Sequence, residues 1–141
     1  MTMIKIRPAK RSDLDFILKL TRGNMSWLID WNDDLFLSNL KLENIFIALL
    51  EEEPVGLLDC EKKEDSLYIH NIQVKKSFWR QGIGSELMNR AFSLAKQLDC
   101  PKITLKVLKK NTGVINFYQK LGFSILANAD SESVYLEKKL L

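Results

Sequence analysis

Two glycines near the middle of the chain lie where a predicted strand gives way to a predicted helix. The strand ends at Val74, and residues 75–85 read KKSFWRQGIGS. Gly82 and Gly84 let the backbone approach a ligand closely, and the start of a helix offers unpaired N–H groups at a positive dipole end. This segment is therefore a candidate cradle for a pyrophosphate. A glycine-containing turn with no ligand is the alternative, and the two glycines alone do not exclude it.

The candidate cradle differs from two well-known phosphate-binding loops. Leu87 takes the place of the third glycine in the dinucleotide-binding pattern G-x-G-x-x-G. A P-loop needs glycine, then lysine, then serine or threonine, and no glycine of this chain is followed by lysine. Neither a Rossmann dinucleotide site nor a P-loop is predicted.

A second segment, residues 111–123, follows the strand after that helix and reads NTGVINFYQKLGF. Together the two segments resemble the signature of the GNAT N-acetyltransferase superfamily: a strand ending in Val, a Q/R-x-x-G-x-G/A loop, and then N-x-x-A-x-x-x-Tyr-x-x-x-Gly-Phe. Both motifs occur in the family's order and at its separation. Trp79 replaces the usual Gln or Arg, Arg80 replaces a common Gly, and Val114 replaces a common Ala.

The resemblance implies an α/β (mixed α+β) chain with the acyl-CoA N-acyltransferase fold, a central mixed sheet of about seven strands flanked by about four helices. It implies that residues 1–141 form a single domain that moves an acetyl group from acetyl-CoA to a primary amine by direct attack. The acceptor would be a small-molecule amine or a protein or peptide amine. Two alternatives stay open: transfer of another acyl group from its CoA ester, and a CoA-binding sensor or interaction module without turnover.

The resemblance assigns the acyl donor largely to main-chain groups. Pantetheine would pair with the end of the strand as an added strand does, and the pyrophosphate would lie against the loop and the helix start. Asn111 would hydrogen-bond near the pantetheine, cap the following helix, or do both. The implied cofactor-binding residues are Ile72, Gln73, Val74, Arg80, Gln81, Gly82, Ile83, Gly84, Ser85 and Asn111.

Tyr118 and His70 are the catalytic candidates. Tyr118 matches the family residue that protonates the departing thiolate, and a phenol with a pKa near ~10 can donate to a thiolate whose conjugate acid has a pKa near ~8.5. The alternative role of Tyr118 is that of a core aromatic. His70, the one histidine of the chain, carries an imidazole suited to accept the proton of the attacking amine. A chain of waters, or a carboxylate from elsewhere, is the alternative base.

The acceptor amine is expected to contact residues that the family places over its substrate cleft. Trp27, Asp30 and Trp31 belong to the segment WLIDWNDD, in which aromatic rings and carboxylates suit a cationic amine. The alternative is that the two tryptophans are buried beside a solvated helix start. The sequence does not name the acceptor.

Composition and charge argue against several other classes of protein. With 21 basic and 18 acidic residues, the net charge of +3 does not argue for nucleic acid. No uncharged run exceeds nine residues, whereas a membrane span needs about 20 apolar ones. The charged N-terminus is not expected to be a signal peptide. One histidine and two distant cysteines cannot build a Cys/His zinc cluster. A carboxylate metal site stays open as an alternative, but the chain has no D-x-D-x-D-G loop and no H-E-x-x-H motif, and no metal is expected. The protein is predicted to be cytoplasmic, and a homodimer is compatible with these features.

The elements that must position these residues follow from periodicity. Ser12 is expected to cap the first helix, with Asp15 at its third position, and a less regular helical region is expected from Trp27 to Leu42. The other predicted elements are strands 3–7, 44–50, 55–61, 66–74, 103–108, 123–126 and 134–140 and helices 82–98 and 114–121. The strand–helix–strand unit over residues 66–108 predicts a parallel strand pair in a mixed sheet.

Overall fold

A computed structural model describes residues 3–24 and 31–140 of the chain. The described residues form seven β-strands and four α-helices. The strands are β1 (Ile4–Pro8), β2 (Ile45–Leu50), β3 (Glu53–Lys63), β4 (Ser66–Val74), β5 (Lys102–Leu108), β6 (Ser124–Asn128) and β7 (Ser133–Lys139). The helices are α1 (Leu14–Asn24), α2 (Asp33–Asn39), α3 (Ile83–Gln97) and α4 (Thr112–Lys120).

The strands form one sheet in the order β1-β2-β3-β4-β5-β7-β6. The pairs β1–β2, β2–β3, β5–β7 and β6–β7 are antiparallel. β4 and β5 are parallel, from Ser66 paired with Lys102 to Ile69 paired with Leu105, and α3 connects them in the chain. The mixed sheet and the parallel pair of the strand–helix–strand unit are therefore confirmed.

The chain divides into two compact units. The first comprises Met1–Asp59 and Asn71–Arg90, and the second comprises Cys60–His70 and Ala91–Leu141. The core cluster of the first unit consists of Ile17, Ile45, Ile47, Leu49 and Leu57. Buried residues of the second unit include Cys60, Leu67, Cys100, Ile103, Leu105, Phe123 and Leu136. Each core draws on alternate strand residues because successive side chains point to opposite faces of a strand.

The start of α1 differs from the prediction that Ser12 caps the helix. A turn of 3-10 helix, Arg11–Asp13, precedes α1, and the Asp13 carboxylate accepts the Lys10 N–H at 2.8 Å. Asp13 is buried and binds the Arg7 guanidinium through both oxygens, at 2.7 and 3.0 Å. The hydrogen bond from Arg7 lowers the pKa of Asp13. Arg7 lies on β1, so the turn that leads into α1 is held by a partner outside the helix.

The described part of the second predicted helical region holds only a short α-helix. Asp33–Asn39 is the one α-helix in the described part of that region, and a 3-10 turn begins at the region's last residue, Leu42. The Asn32 side chain caps the α-helix by accepting the Leu35 N–H at 2.9 Å. Leu40 is already extended. The early part of the region, residues 27–30, lies outside the described residues.

α3 buries one apolar stripe, as its spacing predicts. The buried residues of the stripe are Ile83, Leu87, Met88, Ala91 and Ala95. Leu98, which the predicted stripe includes, follows the end of the helix and is exposed. Within the described ranges, no helix is both long and apolar enough to cross a membrane.

Gly56 lets β3 and β4 approach each other within the first unit. A Cβ built on Gly56 would lie 2.8 Å from the main-chain oxygen of Gln73 and 3.4 Å from the Leu87 side chain. The first distance is shorter than a carbon–oxygen van der Waals contact, and a backbone oxygen held in a sheet cannot rotate away. A side chain at this position would therefore displace the end of β4.

We expect Gly56→Ala to lower the free energy of unfolding by about 1–3 kcal/mol, because overpacking forces the backbone to shift. Urea unfolding measures the change. The control is Gly113→Ala on α4, since no described heavy atom lies within 4 Å of the added Cβ there. If Gly56→Ala and the parent chain had the same free energy of unfolding, β3 and β4 would have room for a methyl group at this point.

Candidate active site

The loop between β4 and α3 is tied to the sheet at its first residue. The Lys75 N–H donates to the Val55 oxygen of β3 at 2.8 Å. A turn of 3-10 helix, Lys76–Phe78, follows, and the Phe78 N–H closes it on the Lys75 oxygen at 2.9 Å. The chain leaves the sheet at a fixed point and reverses within a few residues.

Two residues of this loop have left-handed backbones. Arg80 has φ of 64° and Gly82 has φ of 82°. Glycine adopts this region without steric cost, whereas a non-glycine residue there is held at a cost of about 1–3 kcal/mol. The structure thus explains why the family pattern commonly has Gly where this chain has Arg80.

The first turn of α3 presents main-chain donors. The first bond along this helix runs from the Glu86 N–H to the Gly82 oxygen at 3.0 Å. The N–H groups of Ile83, Gly84 and Ser85 precede it and have no acceptor within the helix. No described heavy atom lies within 4 Å of where a Gly82 Cβ would be. Aligned donors, a helix dipole and open space suit an anionic oxygen cluster such as a pyrophosphate.

Gln73 uses its side chain and its main chain for different contacts. Its side chain is buried, accepts from the Asn24 Nδ2 at 2.7 Å and donates to the Thr21 Oγ1 at 3.0 Å. Its main-chain oxygen lies against Gly56. Because neighbouring strand residues direct their main-chain groups to opposite edges, Ile72 and Val74 are the residues whose groups point away from β3.

Trp79 returns from the loop to the end of β4. Its indole Nε1 donates to the Val74 oxygen at 2.8 Å, and 54% of its surface is exposed. The Lys76 Nζ lies 5.9 Å from the centre of its ring. The sequence marks Trp79 only as a departure from the family pattern, and this hydrogen bond has no signature of its own.

In the second unit, Tyr118 lies on α4 with 7% of its surface exposed. Its ring meets Phe117 and Phe123 edge-on, with centroids 5.1 and 5.4 Å away. Burial raises the pKa of Tyr118 to about 12, because an ionised phenol loses its hydration in apolar surroundings. The phenol therefore stays protonated at neutral pH and can donate a hydrogen bond.

Asn111 occupies the N-cap position of α4. Its main-chain oxygen accepts the Ile115 N–H at 3.0 Å, while its side chain makes no capping hydrogen bond. The residue is exposed. The sequence offered two roles for the Asn111 amide, a helix cap and a contact with pantetheine, and the amide does not act as the cap.

His70 ends the second-unit part of β4 and pairs with a residue that the sequence did not single out. Its Nε2 lies 2.7 Å from the Glu61 Oε1, and its ring meets the Tyr68 ring edge-on at 5.0 Å. The Lys63 Nζ lies 3.9 Å from the same Glu61 oxygen. An imidazole with a carboxylate on one nitrogen is oriented for proton transfer at the other.

Of the three residues predicted to contact the acceptor amine, the structure describes Trp31. Trp31 packs against Phe36 at 5.2 Å between ring centres, and its indole donates to the Asp33 carboxylate. That carboxylate also accepts from Arg22 at 2.9 Å. Trp27 and Asp30 lie outside the described residues. Among the residues that the structure describes, no three His, Cys, Asp or Glu side chains cluster so as to hold a metal ion.

Residues 14–123 match the acetyltransferase (GNAT) family, and the chain belongs to this family. It is 31% identical over 112 residues to the uncharacterized N-acetyltransferase MJ1207 of Methanocaldococcus jannaschii, covering 74% of this chain and 46% of that protein. It is 28% identical over 152 residues to the N-alpha-acetyltransferase of Sulfurisphaera tokodaii, covering 94% and 90%. The chain thus spans about half the length of the first relative and most of the length of the second.

A solved structure with the same fold is the PaiA N-acetyltransferase from Thermoplasma acidophilum, which was determined in complex with coenzyme A. The TM-score is 0.81 at 19% sequence identity, and the match covers 98% of this chain and 99% of that one. This likeness establishes the fold, which is the one that the two sequence motifs imply.

We expect Arg80→Gly to raise the free energy of unfolding by about 1 kcal/mol, because it relieves the positive φ. Arg80→Ala removes the same side chain and keeps the backbone penalty, so it is the matched control. The midpoint of urea unfolding distinguishes the two. If both variants shift it equally, the side chain and not the backbone sets the cost.

The raised pKa of Tyr118 predicts a loss of stability in alkali. The phenol has a pKa near ~10 in the unfolded chain and about 12 in the fold. Between these values the unfolded state has lost the proton and the folded state retains it, so stability is complete below the lower pKa and falls as pH rises through the higher one. Tyr118→Phe should reduce the decline in unfolding free energy between about pH 9 and pH 11 by about 1 kcal/mol. An unchanged decline in this variant would contradict the burial of the phenol.

Proposed function

We propose that this chain transfers the acetyl group of acetyl-CoA to the primary amine of a protein or peptide N-terminus by direct attack. The observation that carries the proposal is the open, donor-lined start of α3 in a chain of the GNAT family. The acceptor class draws on the relatives named N-alpha-acetyltransferase. A small-molecule amine is the second acceptor, and the test below distinguishes it.

Donor binding falls to the first unit in this proposal. The main-chain groups of Ile72 pair with the pantetheine arm along the edge of β4 that faces away from β3. Residues 80–85 surround the pyrophosphate with main-chain N–H groups. Bound there, acetyl-CoA supplies a thioester carbonyl and a thiolate leaving group.

Tyr118 acts as the proton donor. The reaction forms a nitrogen–carbon bond and breaks the carbon–sulfur bond, so the departing sulfur needs a proton. Tyr118 is protonated at neutral pH, as an ordinary phenol is, and burial raises its pKa further, to about 12. Apolar surroundings also disfavour a charged thiolate, which raises the basicity of the sulfur. Burial therefore makes the phenol a weaker acid and the thiolate a stronger base, and the two effects on the proton transfer compensate.

His70 removes the proton that the attacking amine must lose. The Glu61 carboxylate at Nε2 stabilises the imidazolium that forms, as the carboxylate does in a Ser-His-Asp triad. The proton is taken at Nδ1, directly or through one water. We place the activity in the cytoplasm, in a single domain covering residues 1–141. A homodimer stays a prediction from the sequence.

The test is turnover of acetyl-CoA with three acceptors: peptides with free N-termini, the same peptides with blocked N-termini and an internal lysine, and small amines. Peptides with free N-termini should be acetylated. Tyr118→Phe should lower kcat by about 10²–10⁴-fold and leave acetyl-CoA affinity nearly unchanged. Gly84→Glu should abolish acetyl-CoA binding, because a carboxylate would occupy the anion site.

Ser93→Glu adds the same charge at an exposed position of α3 and is the control for Gly84→Glu. Calorimetry that detects no acetyl-CoA binding at millimolar concentration would refute the proposal. Tight binding without turnover on any acceptor would favour the CoA-binding sensor. Turnover confined to small amines would keep the chemistry and reject the peptide acceptor.

A further inference from the structure

The edge of β4 that is proposed to pair with the acyl donor is already partly occupied. The main-chain groups of Gln73 and Lys75 face β3, the first against Gly56 and the second bonded to Val55. By alternation, the Val74 oxygen points to the opposite edge. It accepts the indole N–H of Trp79 at 2.8 Å. The Val74 oxygen, the last acceptor on this edge of β4, therefore already has a hydrogen-bond donor, the Trp79 side chain.

The same hydrogen bond closes the loop on itself. Trp79 is five residues beyond Val74, and the bond between them spans the 3-10 turn Lys76–Phe78. The next residue, Arg80, has the left-handed backbone that turns the chain toward α3. The tie at Trp79 thus anchors the residue directly before the unfavourable conformation of Arg80 to the end of β4.

We infer that Trp79 is a positioning residue for the acyl donor, and that its indole N–H holds residues 80–85 in the anion-binding conformation before any ligand arrives. The inference rests on the proposed function. Ile72 and Val74 both remain proposed to face pantetheine, and the Val74 oxygen in addition accepts the Trp79 indole N–H. A hydrogen bond from the Trp79 indole thus preorganises the loop. The family pattern usually has Gln or Arg at this position and therefore does not predict this bond.

The magnitude of the effect follows from the hydrogen bond that is lost. A partly exposed hydrogen bond to a main-chain oxygen shifts an equilibrium by about three- to tenfold. Loss of the indole N–H should therefore weaken acetyl-CoA binding by about this factor, since part of the binding energy must then order the loop. The chemical step should be unaffected, because Trp79 contacts no reacting atom in this arrangement.

The experiment compares acetyl-CoA affinity and steady-state kinetics in four chains. Trp79→Phe keeps an aromatic ring and deletes the donor. Trp79→Gln restores a side-chain N–H of another shape. Ser38→Ala is the matched control, because it also removes an exposed side-chain hydrogen bond to a main-chain oxygen, that of Leu35 at 2.9 Å. The fourth chain is the parent.

For Trp79→Phe we expect the Kd and the KM for acetyl-CoA to rise together by about three- to tenfold, with kcat and the KM for the peptide within about twofold. Trp79→Gln should recover most of the loss, and Ser38→Ala should match the parent. Equal or tighter binding by Trp79→Phe would overturn the inference, because the indole would then be idle or would compete with the ligand. A fall in kcat with unchanged KM would also overturn it.

Two outcomes distinguish this inference from the proposed function. If the parent chain does not bind acetyl-CoA, the proposed function fails with it. If the parent binds and Trp79→Phe binds equally well, only the role of Trp79 fails. Should Trp79→Phe not fold, as judged by circular dichroism, Trp79→Gln carries the test alone and must then bind within about threefold of the parent.

Discussion

The hydrogen bond between the Lys75 N–H and the Val55 oxygen fixes the place where β4 stops being a strand of the sheet. Everything proposed for the donor site depends on this position. Because the bond ends the β3–β4 contact at Lys75, the chain has seven residues, 76–82, in which to reach the start of α3. Such a short connection requires tight turns, and the left-handed backbones of Arg80 and Gly82 provide them. The helix N-terminus then lies next to the strand that the donor would extend.

Local signals predicted the elements that carry the donor site. β4 has the predicted bounds, and the buried stripe of α3 has the predicted spacing apart from the exposed Leu98. These features depend on residues close together in sequence. The parallel pairing of β4 with β5 followed from the helix between them, since antiparallel neighbours need no such crossover.

Features that depend on distant partners escaped prediction. The 3-10 turn that precedes α1 is held by Arg7, which lies on β1 and binds Asp13. The Glu61 partner of His70 depends on which residues of β3 and β4 face each other, and the sequence alone does not settle that register. The short α2 shows a third limit, because its apolar residues have helical spacing only over about two turns. The roles of His70, Tyr118 and the loop residues remain proposals that the fold accommodates.

The buried amide of Gln73 has a consequence for strand register. It accepts from Asn24 and donates to Thr21, so both ends of the amide are matched to α1. A slip of β4 by one residue would turn Gln73 to the other face and offer α1 an aliphatic side chain, Ile72 or Val74, leaving two polar groups of α1 without partners. The amide therefore acts as a register pin. It fixes which main-chain groups reach the edge of β4 that faces away from β3, and therefore which groups would meet the proposed ligand there.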